Sequence, residues 1–259
     1  MAQKNKTSVR AVILAGGKGT RLKPLTAVFP KPLVPLGNKP ILEILLRRLA
    51  SSGLTDVTIC TGYLAELIKA VCGDGSKFGL RIEYVGEEQP LGTAGPLSLI
   101  PNLTDPFIVM NGDLLTTLNF RSMLQFHNRQ KADFTVGVFP REVKIDFGVI
   151  QFDKRGEFDG YREKPRYNFE VSMGVNVIGL AAMKHVVQGK HLDMPDLVLK
   201  VHGGGGRVKC YREDCRWLDI GRMDDYALAQ EEFAQNEESF LNGATSKKSL
   251  DHRRRRVLR

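Results

Sequence analysis

The feature that most constrains the fold is a glycine-rich turn directly after an apolar run near the N-terminus. Residues 11–15 have the length and composition of a buried strand, and Gly16, Gly17 and Gly19 follow them. Because glycines lack β-carbons, they allow backbone N–H groups to approach a bulky anion directly. The cationic side chains that accompany this turn are Lys18, Arg21, Lys23 and Lys31. The pattern predicts a phosphate-binding loop at the end of a core strand.

This loop belongs to neither of the two common phosphate-binding motifs. The dinucleotide-binding fingerprint requires a third glycine three residues after Gly19, and Leu22 stands at that position. The loop of the nucleoside triphosphatases requires serine or threonine after its lysine, whereas Lys18 is followed by glycine. The loop is therefore interpreted as a phosphate-binding turn of another kind.

The length and composition of the chain fit a single enzyme-sized domain. The 259 residues are enough for one large α/β domain with a full core. No apolar stretch approaches the roughly eighteen residues of a membrane span, and the basic N-terminus lacks an apolar signal core. The cysteines form no Cys-x-x-Cys pair, which favours reduced thiols over a metal or disulfide role. We therefore expect a cytoplasmic protein with no membrane partner.

The net charge of +9 fits more than one kind of partner. Five arginines lie within residues 252–259, after a polar stretch, which predicts a disordered basic tail over residues 236–259. Aromatic residues are not interleaved with basic ones as in single-strand binders, so nucleic acid is a disfavoured partner. Small anionic substrates fit the same basic balance. The sequence leaves the oligomeric state open, a homo-oligomer included.

Apolar runs alternate with helical periods through the first half of the chain. Strands are predicted at residues 11–15, 56–60, 81–85 and 107–110, with helices at 41–52, 64–71 and 95–99. This order predicts a parallel, doubly wound sheet whose ligands bind beyond the carboxyl ends of the strands. Strand-like runs follow more closely at residues 134–138, 148–152, 157–163 and 174–180. They predict an antiparallel or mixed extension that builds a second subsite over that edge.

Residues 87–97 form a second string that is rich in turn residues. Gly92 and Gly95 permit a tight strand-to-helix turn, and Thr93 is placed to cap the helix that follows. Taken alone, the string predicts the start of a helix.

Residues 107–113 place a carboxylate at the end of a predicted buried strand. Four apolar residues precede Asn111, Gly112 and Asp113. A structural turn accounts for this ending. A magnesium site is the functional alternative, because hard cations take oxygen ligands and bridge phosphate oxygens. Asp113 is thus a candidate magnesium ligand.

Residues 14–32 resemble the signature of the sugar-1-phosphate nucleotidyltransferases, the nucleotide-sugar pyrophosphorylases. Residues 87–97 resemble the family segment that packs against the nucleobase, in a form most similar to mannose-1-phosphate guanylyltransferases. The resemblance covers residues 10–235, with its motifs in the family's order. It implies an α/β fold, a Rossmann-like (glycosyltransferase-A-like) three-layer αβα domain with a mixed central sheet and a smaller β-rich sugar-binding extension. Residues 9–235 would form this single catalytic domain.

The resemblance also implies roles for individual residues. The implied catalytic residues are Arg21, Lys31 and Asp113, and the implied ligands of Mg²⁺ are Asp113 and Asp219. The implied nucleotide-binding residues are Leu14, Ala15, Gly16, Gly17, Gly19, Thr20, Glu88, Gly92 and Thr93. The implied sugar-phosphate-binding residues are Asn111, Gly148, Glu163, Lys164, Gly174 and Asn176. Asp219 lies between apolar neighbours, where a buried carboxylate is costly unless it is paired or coordinated.

The chain departs from the family pattern in residues 171–177. Ser172 stands in place of the usual asparagine, and Asn176 in place of an aromatic or similar residue. This departure leaves the identity of the sugar open.

The implied reaction is attack by a sugar 1-phosphate oxygen on the α-phosphorus of a nucleoside triphosphate, with release of pyrophosphate. Because the attacking phosphate is anionic at neutral pH, the reaction needs positioning and charge neutralisation rather than a general base. The resemblance favours GTP as the nucleotide and mannose, heptose or a related sugar as the acceptor. Within the family, a thymidylyl- or uridylyltransferase is the alternative.

Three functions of other kinds compete with this interpretation. A glycosyltransferase on the same fold needs an Asp-x-Asp-like motif, which Asn111, Gly112 and Asp113 match poorly. A regulatory paralogue would bind nucleotide sugars without catalysis, although the implied catalytic set is intact in this chain. A nucleic-acid-binding function rests on the basic tail alone.

Overall fold

The computed structural model describes residues 9–242. Its strands are β1 (Arg10–Ala15), β2 (Pro35–Leu36), β3 (Lys39–Pro40), β4 (Asp56–Thr61), β5 (Arg81–Gly86), β6 (Phe107–Asn111), β7 (Leu114–Thr116), β8 (Phe134–Lys144), β9 (Val149–Phe152), β10 (Phe158–Arg162), β11 (Arg166–Ile178), β12 (Val208–Arg212) and β13 (Trp217–Asp219). Its α-helices are α1 (Ile41–Ser51), α2 (Ala65–Cys72), α3 (Phe120–Gln130), α4 (Met194–Gly203) and α5 (Met223–Asn242). Short 3-10 helices lie at Thr20–Leu22, Leu25–Ala27, Lys31–Leu33, Ser76–Phe78, Gly95–Leu99 and Leu180–His185. Within residues 9–242, no helix is both long enough and apolar enough to cross a membrane.

Seven strands form a mixed central sheet in the order β12-β8-β11-β6-β1-β4-β5. β6, β1, β4 and β5 pair in parallel, as the alternation of apolar runs and helical periods predicts. β11 runs antiparallel to β6 and β8, so the predicted mixed α/β fold is confirmed. β12 pairs in parallel with β8 and is not among the predicted strands, because its short Val-Lys-Cys-Tyr-Arg sequence contains no continuous apolar run.

Helices cover both faces of this sheet. Neighbouring residues of β1 point to opposite faces, as in any strand, and contribute to two separate cores. Ile13 belongs to the core formed with α1, α2 and α3, whereas Val12 belongs to the core formed with α4. A third apolar cluster packs α5 against α1 and β2. The result is the predicted three-layer αβα arrangement with an additional C-terminal helix.

The C-terminal helix corrects the predicted domain boundary at residue 235. α5 continues to Asn242, with a kink at Asn236. Phe240 is only 1% exposed and packs against Phe233, with ring centroids 6.2 Å apart. Residues 236–242 are therefore part of the folded domain, because burial of Phe240 favours the folded helix. The rest of the predicted disordered tail, residues 243–259, lies outside the described residues.

A β-rich extension projects from the central sheet. The outer part of β8 pairs antiparallel with β11 from Val138↔Ser172 to Lys144↔Arg166. Both strands are longer than predicted, since polar residues alternate with apolar ones beyond the core. β9 and β10 form a second antiparallel hairpin between them. The predicted extension is present, and its role in sugar binding stays a prediction.

Candidate active site

The glycine-rich loop is shaped by close backbone contacts at the end of β1. A β-carbon at Gly62 would lie 2.9 Å from the carbonyl oxygen of Gly16, which also accepts a hydrogen bond from the N–H of Tyr63 at 3.3 Å. A β-carbon at Gly16 would collide with a carboxylate oxygen of Glu87. At Gly62 the backbone of Gly16 occupies the space of a side chain, and at Gly16 a side chain would have to displace the carboxylate of Glu87.

Gly19 closes the loop in the left-handed conformation, with φ 61° and ψ 31°. A β-carbon there would lie 2.9 Å from Cβ of Lys31, and the hydroxyl of Thr26 donates to the carbonyl of Gly19 at 2.8 Å. Thr20 and Arg21 begin the following 3-10 helix. The turn thus holds the cationic segment of Lys31 directly against the glycine loop.

A cleft of about 680 Å³ opens at the carboxyl ends of β1, β4, β5 and β6. This volume is within the range of small-molecule sites in proteins. The predicted site residues that line it are Leu14, Ala15, Gly16, Gly17, Lys31, Glu88, Gly92, Thr93, Asn111 and Asp113. Lining residues that were not predicted include Gly62, Tyr63 and Glu87, which directly follow β4 and β5. Their position at strand ends was the signal that could have identified them.

Glu87 connects the glycine-rich loop at Gly16 with the wall of the cleft formed by residues 87–93. Its Oε2 accepts a hydrogen bond from the backbone N–H of Leu91 at 2.9 Å, and its other carboxylate oxygen lies against Gly16. Burial raises the pKa of Glu87, and the hydrogen bond from Leu91 opposes part of that rise. The sequence interpretation assigned the acidic position of this wall to Glu88. The structure brings both carboxylates to the cleft.

Gly92 and Thr93 have structural partners that the sequence did not indicate. Gly92 has φ 78°, and a β-carbon there would lie 2.6 Å from the carbonyl oxygen of Leu192. The predicted cap by Thr93 is wrong, because the N-cap residue of the 3-10 helix Gly95–Leu99 is Ala94 and no side chain within residues 9–242 caps this helix. Instead, the hydroxyl of Thr93 accepts from the N–H of Met194 at 2.7 Å. This wall of the cleft is therefore braced against the start of α4.

Asp113 and Asp219 lie together at one side of the cleft. Asp219 ends β13, where it pairs with Leu114 of β7, and the N–H of Ile220 donates to the carbonyl of Asp113 at 3.3 Å. Partial desolvation and then the negative charge of Asp113 raise the pKa of Asp219, whereas the charges of Lys31 and Arg21 lower it. Strand pairing thus joins two carboxylates that are distant in sequence.

The carboxylate pair has the chemistry of a divalent-cation site. Oδ2 of Asp113 forms an ion pair with Nζ of Lys31. Oδ1 of Asp113 is buried and has no hydrogen-bond partner among the residues that the structure describes. A buried unpaired carboxylate oxygen is costly, and a bound cation would satisfy it. The two side chains therefore fit Mg²⁺, with further ligands supplied by phosphate and water, since the described part of the chain holds no cluster of three or more metal-ligating side chains.

The predicted sugar-phosphate residues fall into separate places. Gly174 (φ 68°) lies against Asn111, whose Nδ2 would be 2.6 Å from a β-carbon at Gly174. Asn176 is only 4% exposed and pairs with Val109 and Val136 inside the sheet, so the structure does not bring it to the cleft. Of the predicted sugar-phosphate residues, Asn111 therefore lines the cleft with Asp113, and Gly174 packs against Asn111.

The remaining predicted sugar-side residues cluster on the extension. The ring of Tyr161 covers Gly148, and the hydroxyl of Tyr161 donates to Glu163 at 2.9 Å. Lys164 has φ 42° and is 3.8 Å from a carboxylate oxygen of Glu163. These side chains are exposed and do not line the cleft. Arg21 and Asp219 are also not among the lining residues of the cleft. Arg21 lies beside Gly221, and its charge acts on Asp219.

The fold and the cleft define a class: a Rossmann-like α/β protein with a glycine-rich loop and a carboxylate pair at the carboxyl edge of its sheet. The chain belongs to the nucleotidyl transferase family, which it matches over residues 10–236. Mannose-1-phosphate guanylyltransferase of Mycobacterium tuberculosis is 34% identical over 224 residues, covering 84% of this chain and 62% of that protein. UTP–glucose-1-phosphate uridylyltransferase of Synechocystis is 31% identical over 238 residues, covering 84% of this chain and 61% of that protein. The resemblance to sugar-1-phosphate nucleotidyltransferases is therefore confirmed.

A solved structure supports the same fold. HddC from Yersinia pseudotuberculosis superposes with a TM-score of 0.66 at 25% identity, covering 87% of this chain and 99% of that one. By contrast, the chain spans only 62% and 61% of the lengths of the two sequence relatives. The names of those relatives differ in nucleotide and in sugar, so family membership leaves both substrates open.

Proposed function

We propose that the protein transfers a nucleoside monophosphate from a nucleoside triphosphate to a sugar 1-phosphate and releases pyrophosphate. The observation that carries this proposal is the juxtaposition of the glycine loop, Lys31 and the carboxylate of Asp113 at one cleft. Such a cleft can hold a triphosphate beside a cation site. The proposal assigns the cleft to the nucleotide and the neighbouring extension to the sugar phosphate.

Catalysis in this proposal depends on holding two anions in line. Backbone groups of residues 16–19 would surround the phosphates, with Arg21 and Lys31 neutralising the β- and γ-phosphates and the departing pyrophosphate. The sugar phosphate is already an anionic nucleophile, so no side chain needs to remove a proton. His127 fits this view, because it is buried against Thr135 at 2.8 Å rather than in the cleft.

Asp113 and Asp219 would hold a magnesium ion in this reaction. When bound, the ion would neutralise charge that develops on the transferred phosphate. The buried Oδ1 of Asp113, which has no hydrogen-bond partner within residues 9–242, supports this assignment. The two carboxylates by themselves would only position and retain the cation.

The sugar phosphate would approach from the extension. Lys164 is 57% exposed at its side chain and is available to an incoming anion, and Glu163 beside it can accept a sugar hydroxyl. Asn111 lines the cleft with Asp113, and Gly174 packs against Asn111. Mannose 1-phosphate, a heptose phosphate or a related sugar phosphate is the proposed acceptor.

GTP is the proposed nucleotide because the wall formed by residues 87–93 carries acceptor-only carboxylates. The Watson–Crick edge of guanine offers two adjacent donors, the N1–H and the 2-amino group, which match a carboxylate. Uracil and thymine offer one donor between two carbonyl oxygens, which a carboxylate repels. Glu87 and Glu88 therefore favour guanine, and the named activity of the M. tuberculosis relative agrees with this choice.

The test is a matrix of four nucleoside triphosphates against mannose, glucose and heptose 1-phosphates, read as pyrophosphate release with Mg²⁺. We expect release with GTP and one of the sugar phosphates. Glu87→Gln, which keeps an acceptor for Leu91, should reduce the preference for GTP over UTP about tenfold through the loss of one charged hydrogen bond. Nucleotide binding without pyrophosphate release across the whole matrix would instead indicate a regulatory paralogue.

A further inference from the structure

The ion pair of Lys31 with Asp113 places a cation where the proposed function requires a divalent metal. Nζ of Lys31 contacts Oδ2 of Asp113, and the two side chains are only 12% and 19% exposed. Shielding from water strengthens such a pair relative to one on the surface. Within residues 9–242, Lys31 is therefore the cation that pairs directly with the Asp113 carboxylate.

The position of Lys31 is set by the loop rather than by chance contact. A β-carbon at Gly19 would lie 2.9 Å from Cβ of Lys31, so any larger residue at position 19 would collide with Lys31. Its backbone begins a 3-10 helix, Lys31–Leu33, whose other two residues, Pro32 and Leu33, are buried. These contacts fix the backbone and Cβ of Lys31, so any movement of its ammonium away from Asp113 would occur by rotation about the outer side-chain bonds.

We propose that Lys31 is the resident counter-ion of the Asp113–Asp219 pair, and that a divalent cation binds by displacing its ammonium group. This inference rests on the proposed function. Once displaced, the ammonium lies within the same cleft and can pair with a phosphate of the nucleotide. Lys31 thereby acts as a positioning residue that sets metal affinity before it contacts the substrate.

The exchange makes metal and triphosphate binding mutually supportive. A metal that binds alone must leave the ammonium of Lys31 without its carboxylate partner, which weakens metal binding. A triphosphate supplies a new partner for that ammonium, so it removes the penalty. Linkage requires that each ligand strengthens the binding of the other by the same factor.

The test is direct binding of Mn²⁺ to the full chain without nucleotide, measured by the electron paramagnetic resonance signal of free Mn²⁺. Lys31→Met should lower the Mn²⁺ dissociation constant at least tenfold relative to Lys18→Met. Lys18 is the matched control, because it lines the same cleft, is exposed, and forms no ion pair within residues 9–242. Asp113→Asn in the Lys31→Met background should abolish the gain.

A gain smaller than tenfold over Lys18→Met, or no binding in either variant, would overturn the counter-ion role. Lys31→Gln provides a second neutral variant, and circular dichroism establishes that each variant is folded. The proposed function has its own readout in pyrophosphate release by the wild-type protein. Tighter Mn²⁺ binding by Lys31→Met together with an inactive wild type would retain the counter-ion role and reject the proposed function. Pyrophosphate release by the wild type without tighter Mn²⁺ binding by Lys31→Met would retain the proposed function and reject the counter-ion role.

Discussion

Replacement of Gly19 by alanine tests whether the glycine loop positions Lys31. Gly19 combines a left-handed backbone, φ 61° and ψ 31°, with a virtual β-carbon 2.9 Å from Cβ of Lys31. Gly79 has nearly the same backbone, φ 72° and ψ 27°, but no atom in the described part of the chain lies within 4 Å of its virtual β-carbon. Gly79→Ala therefore reports the backbone strain alone, and Gly19→Ala reports the strain plus the collision.

The expected magnitudes follow from these two contributions. A left-handed alanine costs about 1–2 kcal/mol, so this is the loss of unfolding free energy expected for Gly79→Ala. Overpacking adds about 1–3 kcal/mol, so Gly19→Ala should lose about 2–5 kcal/mol. Displacement of Lys31 should also lower turnover on the order of 100-fold, whereas Gly79→Ala should remain fully active.

Urea unfolding followed by tryptophan fluorescence measures the stability of all three proteins. Trp217 is the single tryptophan, and its indole N–H donates to the carbonyl of Met173 at 2.8 Å. Equal dependence on urea in the three proteins is required before their free energies are compared. Equal destabilisation by both alanines, or normal turnover of a folded Gly19→Ala protein, would refute the reasoning that this close contact positions Lys31.

Three further predictions concern other parts of the molecule. Asp113→Asn and Asp219→Asn should each reduce pyrophosphate release by at least about 100-fold and the double variant little further, because groups that share one ion are not additive; additive losses would argue for separate roles. Burial raises the pKa of Glu87 above its ordinary 4.5, so its ionisation disfavours the folded state as the pH rises through that window. Glu87→Gln should accordingly resist urea better than the wild type at pH 7, an advantage that should vanish below pH 4.5. Phe240→Ala should lower the free energy of unfolding by about 3–5 kcal/mol. A chain ending at Asn242 should keep wild-type activity. Unchanged stability of Phe240→Ala together with loss of activity in the shortened chain would reject the revised boundary.

Much of the first half of the fold could be predicted because its apolar patterns are local. The strand predicted at residues 107–110 is observed as β6, and the helix predicted at residues 41–52 is observed as α1, each within one residue. The glycines of the first loop could be interpreted equally well, since glycine is the residue type that permits close approach of the backbone to other groups. The predicted start of the disordered tail at residue 236 was wrong, because Phe240, a single aromatic residue in a polar stretch, is buried by contacts with distant elements.

The sequence by itself therefore determined the family, the α/β fold class and the glycine loop with its cations. Tertiary structure alone decided which side chains meet. The pairing of β13 with β7 brings Asp219 to Asp113, the turn at Gly19 brings Lys31 to the same carboxylate, and the sheet buries Asn176 away from the cleft. Local patterns record how a residue suits its own strand or helix. Contacts between distant segments depend on strand register and packing, which no short stretch of this sequence expresses.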